Sequence, residues 1–258
     1  MKSIYFTIAL LFFVFLFGCG DETPTKETKD EVVEPVLDYY PDNVGSKWIY
    51  LNAEGQILTR TIKEGEEFSG ITYKMWQAEP PDAETEIWQA ESSDSEAEQV
   101  FFRKTIAGIR LYTKEIDKSI MKLIKEDFKP LQGWALFNFT VQSSFTEGLL
   151  VELPLKPGLD WLVIHIRAAG TLLGGKNIAL TLRFTGHSSR KEIITVPAGT
   201  FECIRVTYKY EGKLEIAGEI PSSYTETMYV HWLAPDVGIV QIKDAYGTFQ
   251  LIEYDLTL

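Results

Sequence analysis

The chain has 258 residues and carries 37 Asp and Glu against 25 Lys and Arg, a formal net charge of −12 at pH 7. A body this acidic repels phosphate backbones and anionic lipid headgroups, so we expect no nucleic acid partner and no membrane attachment through a basic patch. Hydrophobic residues make up 45% of the chain, which suffices for one sizeable core.

The N-terminus has the pattern of an export signal. Lys2 precedes an apolar run over residues 4–17, which is shorter than the roughly 20 apolar residues that a spanning helix needs. The run ends in Leu-Phe-Gly-Cys at 16–19, and this sequence resembles the lipobox of bacterial lipoproteins. The resemblance implies that residues 1–18 are a signal peptide and that Cys19 is lipidated after cleavage. An uncleaved anchor with an incidental cysteine is the alternative.

Both alternatives place the rest of the chain outside the cytoplasm, in the bacterial cell envelope. Acyl chains on Cys19, at about 0.8 kcal/mol for each buried methylene, would hold the protein on a membrane. We expect the outer membrane rather than the inner one in a bacterium that has both. Residues 19–37 contain no aromatic side chain and are rich in charged residues, Thr and Pro, so we predict a flexible tether there. With Cys19 lipidated, Cys203 is the one cysteine left, and no intramolecular disulfide forms.

Residues 38–258 are predicted to form a single β domain, because apolar residues recur with a two-residue period between turn residues. The predicted strands are 47–52, 56–63, 71–78, 85–90, 100–104, 109–115, 119–125, 160–168, 177–184, 191–196, 201–210, 225–233, 239–243 and 248–256. Their spacing predicts an all-β antiparallel meander, folded as a sandwich, as a half-barrel or barrel, or as one strongly curved sheet. Residues 128–146 are ambiguous, and we expect a short helix or a loop there.

The same period assigns side chains to faces of the sheet. Alternate apolar residues from 178 to 184 share one face, as do those from 204 to 210, each opposite polar residues. Strands of the first half carry apolar side chains on both faces. The candidate apolar binding surface consists of Tyr73, Trp76, Trp88, Phe101 and Phe102. Either both faces are covered there or an apolar molecule lies on one of them, and simple core packing of these aromatic residues is the competing interpretation.

Two segments share proline, glycine and tryptophan at identical spacing. They are Pro41, Gly45 and Trp48 in the first half, and Pro154, Gly158 and Trp161 in the second. A rigid proline, a glycine that can turn and a tryptophan that enters a strand suit the start of a meander. Either the domain consists of two related halves, 38–150 and 151–258, or one turn chemistry is used twice.

Two further turns carry a family resemblance. Residues 196–203 read VPAGTFEC, and residues 232–240 read WLAPDVGIV; in each, glycine follows a proline turn between strands. With the Gly-x-x-Trp openings, these segments resemble the bacterial envelope proteins grouped as domain of unknown function 3108 and its relatives, mainly over residues 150–258. The resemblance implies an extracytoplasmic, mostly antiparallel β domain similar to the curved half-barrels of lipoprotein carriers. It implies no catalytic residues.

Residues that could carry chemistry form no recognisable motif. His165, His187 and His231 lack metal-binding spacings, and we expect His165 and His231 on a polar sheet face. Cys203 is expected to be a half-buried packing residue. Acidic pairs at 66–67 and 94–98 are attributed to solvated loops rather than to a glycosidase site. We therefore predict no metal, no cofactor and no enzymatic activity.

These observations predict a membrane-anchored envelope lipoprotein with a non-catalytic β domain that binds an envelope amphiphile or lipid. Its contact with the membrane is predicted to be the lipid anchor. The first alternative is a structural lipoprotein that binds another envelope protein, for example by adding an edge strand to the partner's sheet. The second alternative is a hydrolase that uses Asp or Glu, which would need carboxylates, or His165 with His231, in one cleft.

Overall fold

A computed structural model describes residues 37–79, 98–113, 136–143, 146–172, 175–244 and 247–257. The predicted signal peptide, Cys19, the tether up to residue 36, Trp88 and the predicted strands at 85–90 and 119–125 lie outside the described residues. The part from Val36 to Leu258 is a compact unit by itself.

All regular elements in this part of the chain are β-strands. They are β1 (Lys47–Leu51), β2 (Ile57–Phe68), β3 (Ile71–Glu79), β4 (Glu98–Thr105), β5 (Gly108–Tyr112), β6 (Leu136–Ser143), β7 (Glu147–Glu152), β8 (Asp160–Leu172), β9 (Asn177–Val196), β10 (Gly199–Ile216), β11 (Ser222–Ala234), β12 (Gly238–Asp244) and β13 (Gly247–Asp255). No described residue belongs to a helix that could cross a membrane.

The strands form one antiparallel sheet in the order β6-β8-β9-β10-β11-β12-β13-β1-β2-β3-β4-β5-β7. Twelve of them, from β8 round to β7, curl into a nearly closed barrel with one unsealed seam. Pairing of β1 with β13 joins the two ends of the described domain. β6 continues the sheet beside the second half of β8. The predicted all-β antiparallel meander is confirmed, and among the predicted forms it is the barrel.

The seam lies between β7 and the first half of β8, where no backbone ladder joins the described strands. The two backbones are nevertheless close, because a Cβ added to Gly148 would lie 3.1 Å from the carbonyl oxygen of Val163. One side-chain hydrogen bond crosses the gap: the indole Nε1 of Trp161 donates to the carbonyl oxygen of Leu150 at 3.0 Å. The seam is therefore held by close packing and a side chain rather than by a ladder.

The faces predicted for the two long strands are confirmed. Ile178, Leu180 and Leu182 are all at most 2% exposed, and on β10 the alternate residues from Ile204 to Tyr210 are at most 6% exposed. Each Å² of apolar surface that such burial removes from water stabilises the folded protein by about 25 cal/mol. The main core lies mainly inside the barrel, and a second cluster lies along β8, β9 and the end of β10.

The Pro-Gly-Trp segments play equivalent structural roles. Gly45 and Gly158 have φ of +96° and +83°, which other residues adopt only with strain. Trp48 and Trp161 follow at the beginning of β1 and β8, and each side chain is buried, with 6% of its surface exposed. Each indole donates its N–H to a backbone carbonyl, that of Val237 for Trp48 and that of Leu150 for Trp161. One turn chemistry therefore anchors two strand starts.

Some predicted strand bounds were wrong. The predicted strands 177–184 and 191–196 are one continuous strand, β9, because the intervening residues pair with both β8 and β10. Gly186 does not make a turn there; its missing side chain leaves room for the indole of Trp161, which a Cβ would approach to 2.2 Å. Residues 136–143 form β6 rather than a helix or loop, and β7 was not predicted.

Candidate functional site

Four of the five residues of the candidate apolar surface are described, and they divide between the two faces of the sheet. β3 and β4 pair Met75 with Phe101 and Trp76 with Val100. The two-residue period then places Tyr73 and Phe101 on one face and Trp76 and Phe102 on the other. The sequence left open whether both faces are covered. In the structure, different side chains pack on each face.

Tyr73 and Phe101 belong to an outer aromatic cluster with Phe68 and Tyr112. The rings of Phe68 and Tyr112 are stacked with centroids 4.2 Å apart, and Phe101 meets Phe68 edge-on at 5.1 Å. Tyr73 is only 2% exposed. The cluster therefore covers itself, and its members contact one another rather than a groove.

An ion pair closes the outer cluster on its polar side. The hydroxyl of Tyr73 donates to Oε1 of Glu147 at 2.5 Å, and Arg103 donates to both carboxylate oxygens of Glu147. The hydrogen bond from Arg103 lowers the pKa of Glu147, whereas burial and the bond to Glu147 raise the pKa of Tyr73 to about 12. This set of groups is internally satisfied, so it is a structural feature of the outer face.

Trp76 and Phe102 lie inside the barrel. Their rings are stacked at 4.1 Å, and Tyr40 packs against Trp76 at 5.1 Å. Phe102 is fully buried and belongs to the core, while Trp76 also borders open space. The two residues therefore differ in role, and Trp76 leads to the feature that sequence analysis did not predict.

That feature is a half-open cavity of about 260 Å³ in the barrel, here called the barrel cavity. Residues of nine strands and of the segment before β1 line it. Its apolar wall includes Trp76, Val100, Leu111, Leu150, Val163 and Phe184. Leu150 and Val163 stand on opposite sides of the seam, so the cavity extends to the seam.

The polar side chains that line the barrel cavity include those of Arg60, Tyr208 and His231. The hydroxyl of Tyr208 and Nδ1 of His231 are buried and have no hydrogen-bond partner among the described residues, although the two rings lie 5.2 Å apart, edge to face. Polar atoms buried in this way are rare in native structures. The expectation that His231 lies on a wet sheet face was wrong, because the sheet closes around it.

Burial keeps His231 neutral. Loss of water, with a smaller effect of the Arg60 charge, lowers the pKa of His231 to about 3. Burial also raises the pKa of Tyr208 well above its usual value. At neutral pH both side chains are uncharged donors or acceptors, and the positive charges that line the cavity belong to Arg60 and to the exposed Lys209.

The segment before β1 closes one end of the cavity. Tyr40 is 5% exposed and lines the cavity. Lys104 donates to both carboxylate oxygens of Asp38 at 2.8 Å and to the carbonyl of Tyr40 at 3.0 Å, and Lys74 bonds Asp42. These two lysines clamp the segment onto β3 and β4, which holds Tyr40 in place.

The other candidate residues lie apart from this cavity. His165 and His187 do not line it, and Nδ1 of His187 contacts Asp160 at 2.8 Å on the surface. Cys203 was expected to be half-buried but is fully buried, and loss of water raises its pKa to about 12. Glu66 and Glu67 are exposed at the end of β2, and residues 94–97 lie outside the described part. Among the described residues, no cluster of His, Cys, Asp or Glu could hold a metal ion.

Comparison with known proteins bears on the fold alone. A family described as DUF3108-like matches residues 176–247, which contain both turns that carried the resemblance, so that resemblance is confirmed over this segment. No curated protein matches the chain.

Two solved structures are similar. A candidate exported protein of Bacteroides fragilis with a YmcC-like fold is 16% identical, with a TM-score of 0.36, over 85% of this chain and 99% of its own. A candidate lipoprotein of Parabacteroides distasonis is 15% identical, with a TM-score of 0.38 and the same coverage.

Proposed function

We propose that this chain is a lipid-anchored envelope protein whose barrel binds an amphiphile in its interior and does not alter it chemically. The observation that carries the proposal is the barrel cavity, an apolar space of about 260 Å³ inside a β domain. Binding pockets for small molecules are concave, mostly apolar and supplied with a few polar groups, and this cavity has all three properties. The anchor and the location outside the cytoplasm rest on the sequence around Cys19.

The position of the cavity supports binding rather than mere imperfect packing. Interiors of proteins are close-packed, and empty spaces much larger than a water molecule are few. Here the space extends to the seam, where a hydrogen bond from one side chain replaces a ladder. Entry of a hydrophobic chain between β7 and β8 would require these closely packed strands to separate, which would break the hydrogen bond of Trp161 but no backbone ladder between described residues.

The test is native mass spectrometry of residues 36–258, purified without detergent. We expect a bound species with the mass of an acyl-chain compound. Val163→Phe, which places a ring into the cavity beside the seam, should abolish this species. The matched control is Leu162→Phe, because the neighbouring Leu162 is 37% exposed and is not among the cavity residues; this variant should keep the bound species.

An apo mass for the wild-type domain, together with no binding of an apolar fluorescent probe, would contradict the proposal. The second candidate would then be binding of an envelope protein at the sheet edge. The observation that favours it is that the sheet ends in β6, whose described partner is β8 on one side only. An edge strand can accept a strand from another chain, and crosslinking in cells would identify that partner.

A further inference from the structure

We infer that the barrel cavity selects an anionic single-chain amphiphile, a fatty-acid carboxylate, by holding its head group with Arg60, Tyr208 and His231. This inference rests on the proposed function and adds the chemistry of the ligand to it. The three residues come from β2, β10 and β11, and they face the same interior space. Each has a polar group that forms no hydrogen bond or ion pair with the described part of the protein.

Arg60 supplies the charge. A guanidinium has five donors and pairs best with a planar carboxylate, yet no Asp or Glu of the described residues lines the cavity. None of the ion pairs between described residues includes Arg60 either. The chain as a whole has a net charge of −12. The charged residues that line the cavity are nevertheless Arg60 and Lys209, so the cavity is a locally positive site in an acidic protein.

Tyr208 and His231 supply directed donors. They are 6% and 9% exposed, and the Tyr208 hydroxyl and the His231 Nδ1 atom lack partners. Leaving a buried polar group without a hydrogen bond costs about 1–3 kcal/mol. A carboxylate oxygen could accept from the Tyr208 hydroxyl and from Nδ1 of His231 in the tautomer that carries its proton there. The bound head group would then satisfy both atoms.

The shape of the cavity selects one acyl chain. The polar end is fixed by Arg60, which together with Tyr40 and Trp76 also borders a smaller space of about 20 Å³. The apolar wall leads away from it to Leu150, Val163 and Phe184, beside the seam and the second core cluster. A volume of about 260 Å³ lies just below the roughly 300–1,000 Å³ of pockets for drug-sized ligands. This space suits a single short or medium chain and is too small for a two-chain phospholipid.

The test is titration calorimetry of residues 36–258, the compact unit that contains the described core, with three probes of equal chain length. These are decanoate, its methyl ester, and decyltrimethylammonium. We expect decanoate to bind at least tenfold more tightly than the ester, and the cation to bind least, because Arg60 repels it. Loss of a charge-assisted hydrogen bond by Arg60→Met should weaken decanoate about 10- to 100-fold and leave binding of the ester unchanged.

Two further variants complete the test. Arg183→Met removes an exposed arginine from β9 outside the cavity lining and should leave all affinities unchanged. Tyr208→Phe removes only an oxygen that has no partner, so it should fold normally and weaken decanoate alone. If decanoate and the ester bind equally, or if Arg60→Met and Tyr208→Phe leave decanoate unaffected, the head-group inference is overturned while binding in the cavity stands. If no probe binds the wild-type domain, the proposed function itself fails.

Discussion

At the scale of single residues, His231 shows how the same side chain is interpreted differently before and after the fold is known. Alternation along 225–233 correctly predicted a strand, but it could not show which face would be enclosed, because enclosure depends on strands far away in sequence. The partner of Val206 across the ladder is His231, and the face they share is the barrel interior. A neutral histidine in the interior has a measurable consequence for stability.

That consequence is a dependence of unfolding on pH. The folded-state pKa of His231 is about 3, below the value of about 6.5 for a histidine in an unfolded chain. Between these values the unfolded chain binds a proton that the folded protein does not. The stability associated with neutral His231 is therefore complete above about pH 6.5 and is lost as the pH falls toward 3.

We expect the free energy of unfolding of the wild-type domain to fall more steeply with decreasing pH than that of His231→Gln. The difference should approach about 1.4 kcal/mol per pH unit between pH 6 and 4. Urea unfolding followed by tryptophan fluorescence at several pH values measures it. Comparison with the variant removes the contribution of the carboxylates, which both proteins share. Parallel curves for the two proteins would mean that His231 titrates normally in the fold.

At the scale of elements, the sequence predicted those strands whose two-residue period is unbroken, such as β10, and failed where tertiary pairing decides. β9 continues through Gly186 because β8 and β10 supply partners on both sides, which a local pattern cannot show. β7, over Glu147–Glu152, has a weak apolar period and was missed, although it forms one border of the seam. The cavity was unpredictable for the same reason, since its wall combines residues from nine strands.

The element at the seam yields a separate prediction. Trp161→Phe keeps an aromatic ring beside Gly186 but removes the N–H that donates to Leu150. A hydrogen bond of this kind contributes about 0.5–1.5 kcal/mol, so amides of β7 should exchange with deuterium roughly 2- to 10-fold faster than in the wild type. Hydrogen exchange with peptide-level mass spectrometry measures this effect.

The matched control is Trp232→Phe. This change removes the indole N–H that donates to Glu192 at 2.6 Å, and Glu192 lies in the part of β9 beyond the residues that pair with β8. Exchange in β7 should stay at the wild-type rate in this variant. Equal acceleration of β7 exchange by both substitutions would indicate general destabilisation and would refute a specific role of Trp161 at the seam.

At the scale of the whole molecule, an acidic body and an apolar interior favour different partners. The net charge of −12 repels anionic membrane surfaces, so the predicted attachment depends on lipid at Cys19 rather than on charge. Attachment by acyl chains resists high salt, whereas attachment by charge is screened. The two mechanisms are therefore separable by experiment.

We expect the full chain expressed in bacteria to incorporate labelled palmitate and to stay with membranes washed in high salt. Cys19→Ser should lose the label, because the substituted residue has no thiol to modify. Cys203→Ser should retain the label, since Cys203 is buried in the core. Gel fluorography of membrane and soluble fractions measures both. Labelling of the Cys19→Ser protein, or release of the wild type by salt, would disprove the predicted anchor.

The unsealed seam makes the circumference of the barrel easier to change than that of a fully closed barrel. In a fully closed barrel, the number of strands and their stagger fix the circumference, and widening the ring means breaking a whole ladder. Here β7 and β8 are joined across the gap by the indole of Trp161, so a small change of circumference strains one side-chain contact and leaves the described ladders of the other eleven junctions intact. We therefore expect the width of the interior to be adjustable, and if the barrel binds an amphiphile as proposed, the same twelve strands should accept chains of slightly different thickness or length.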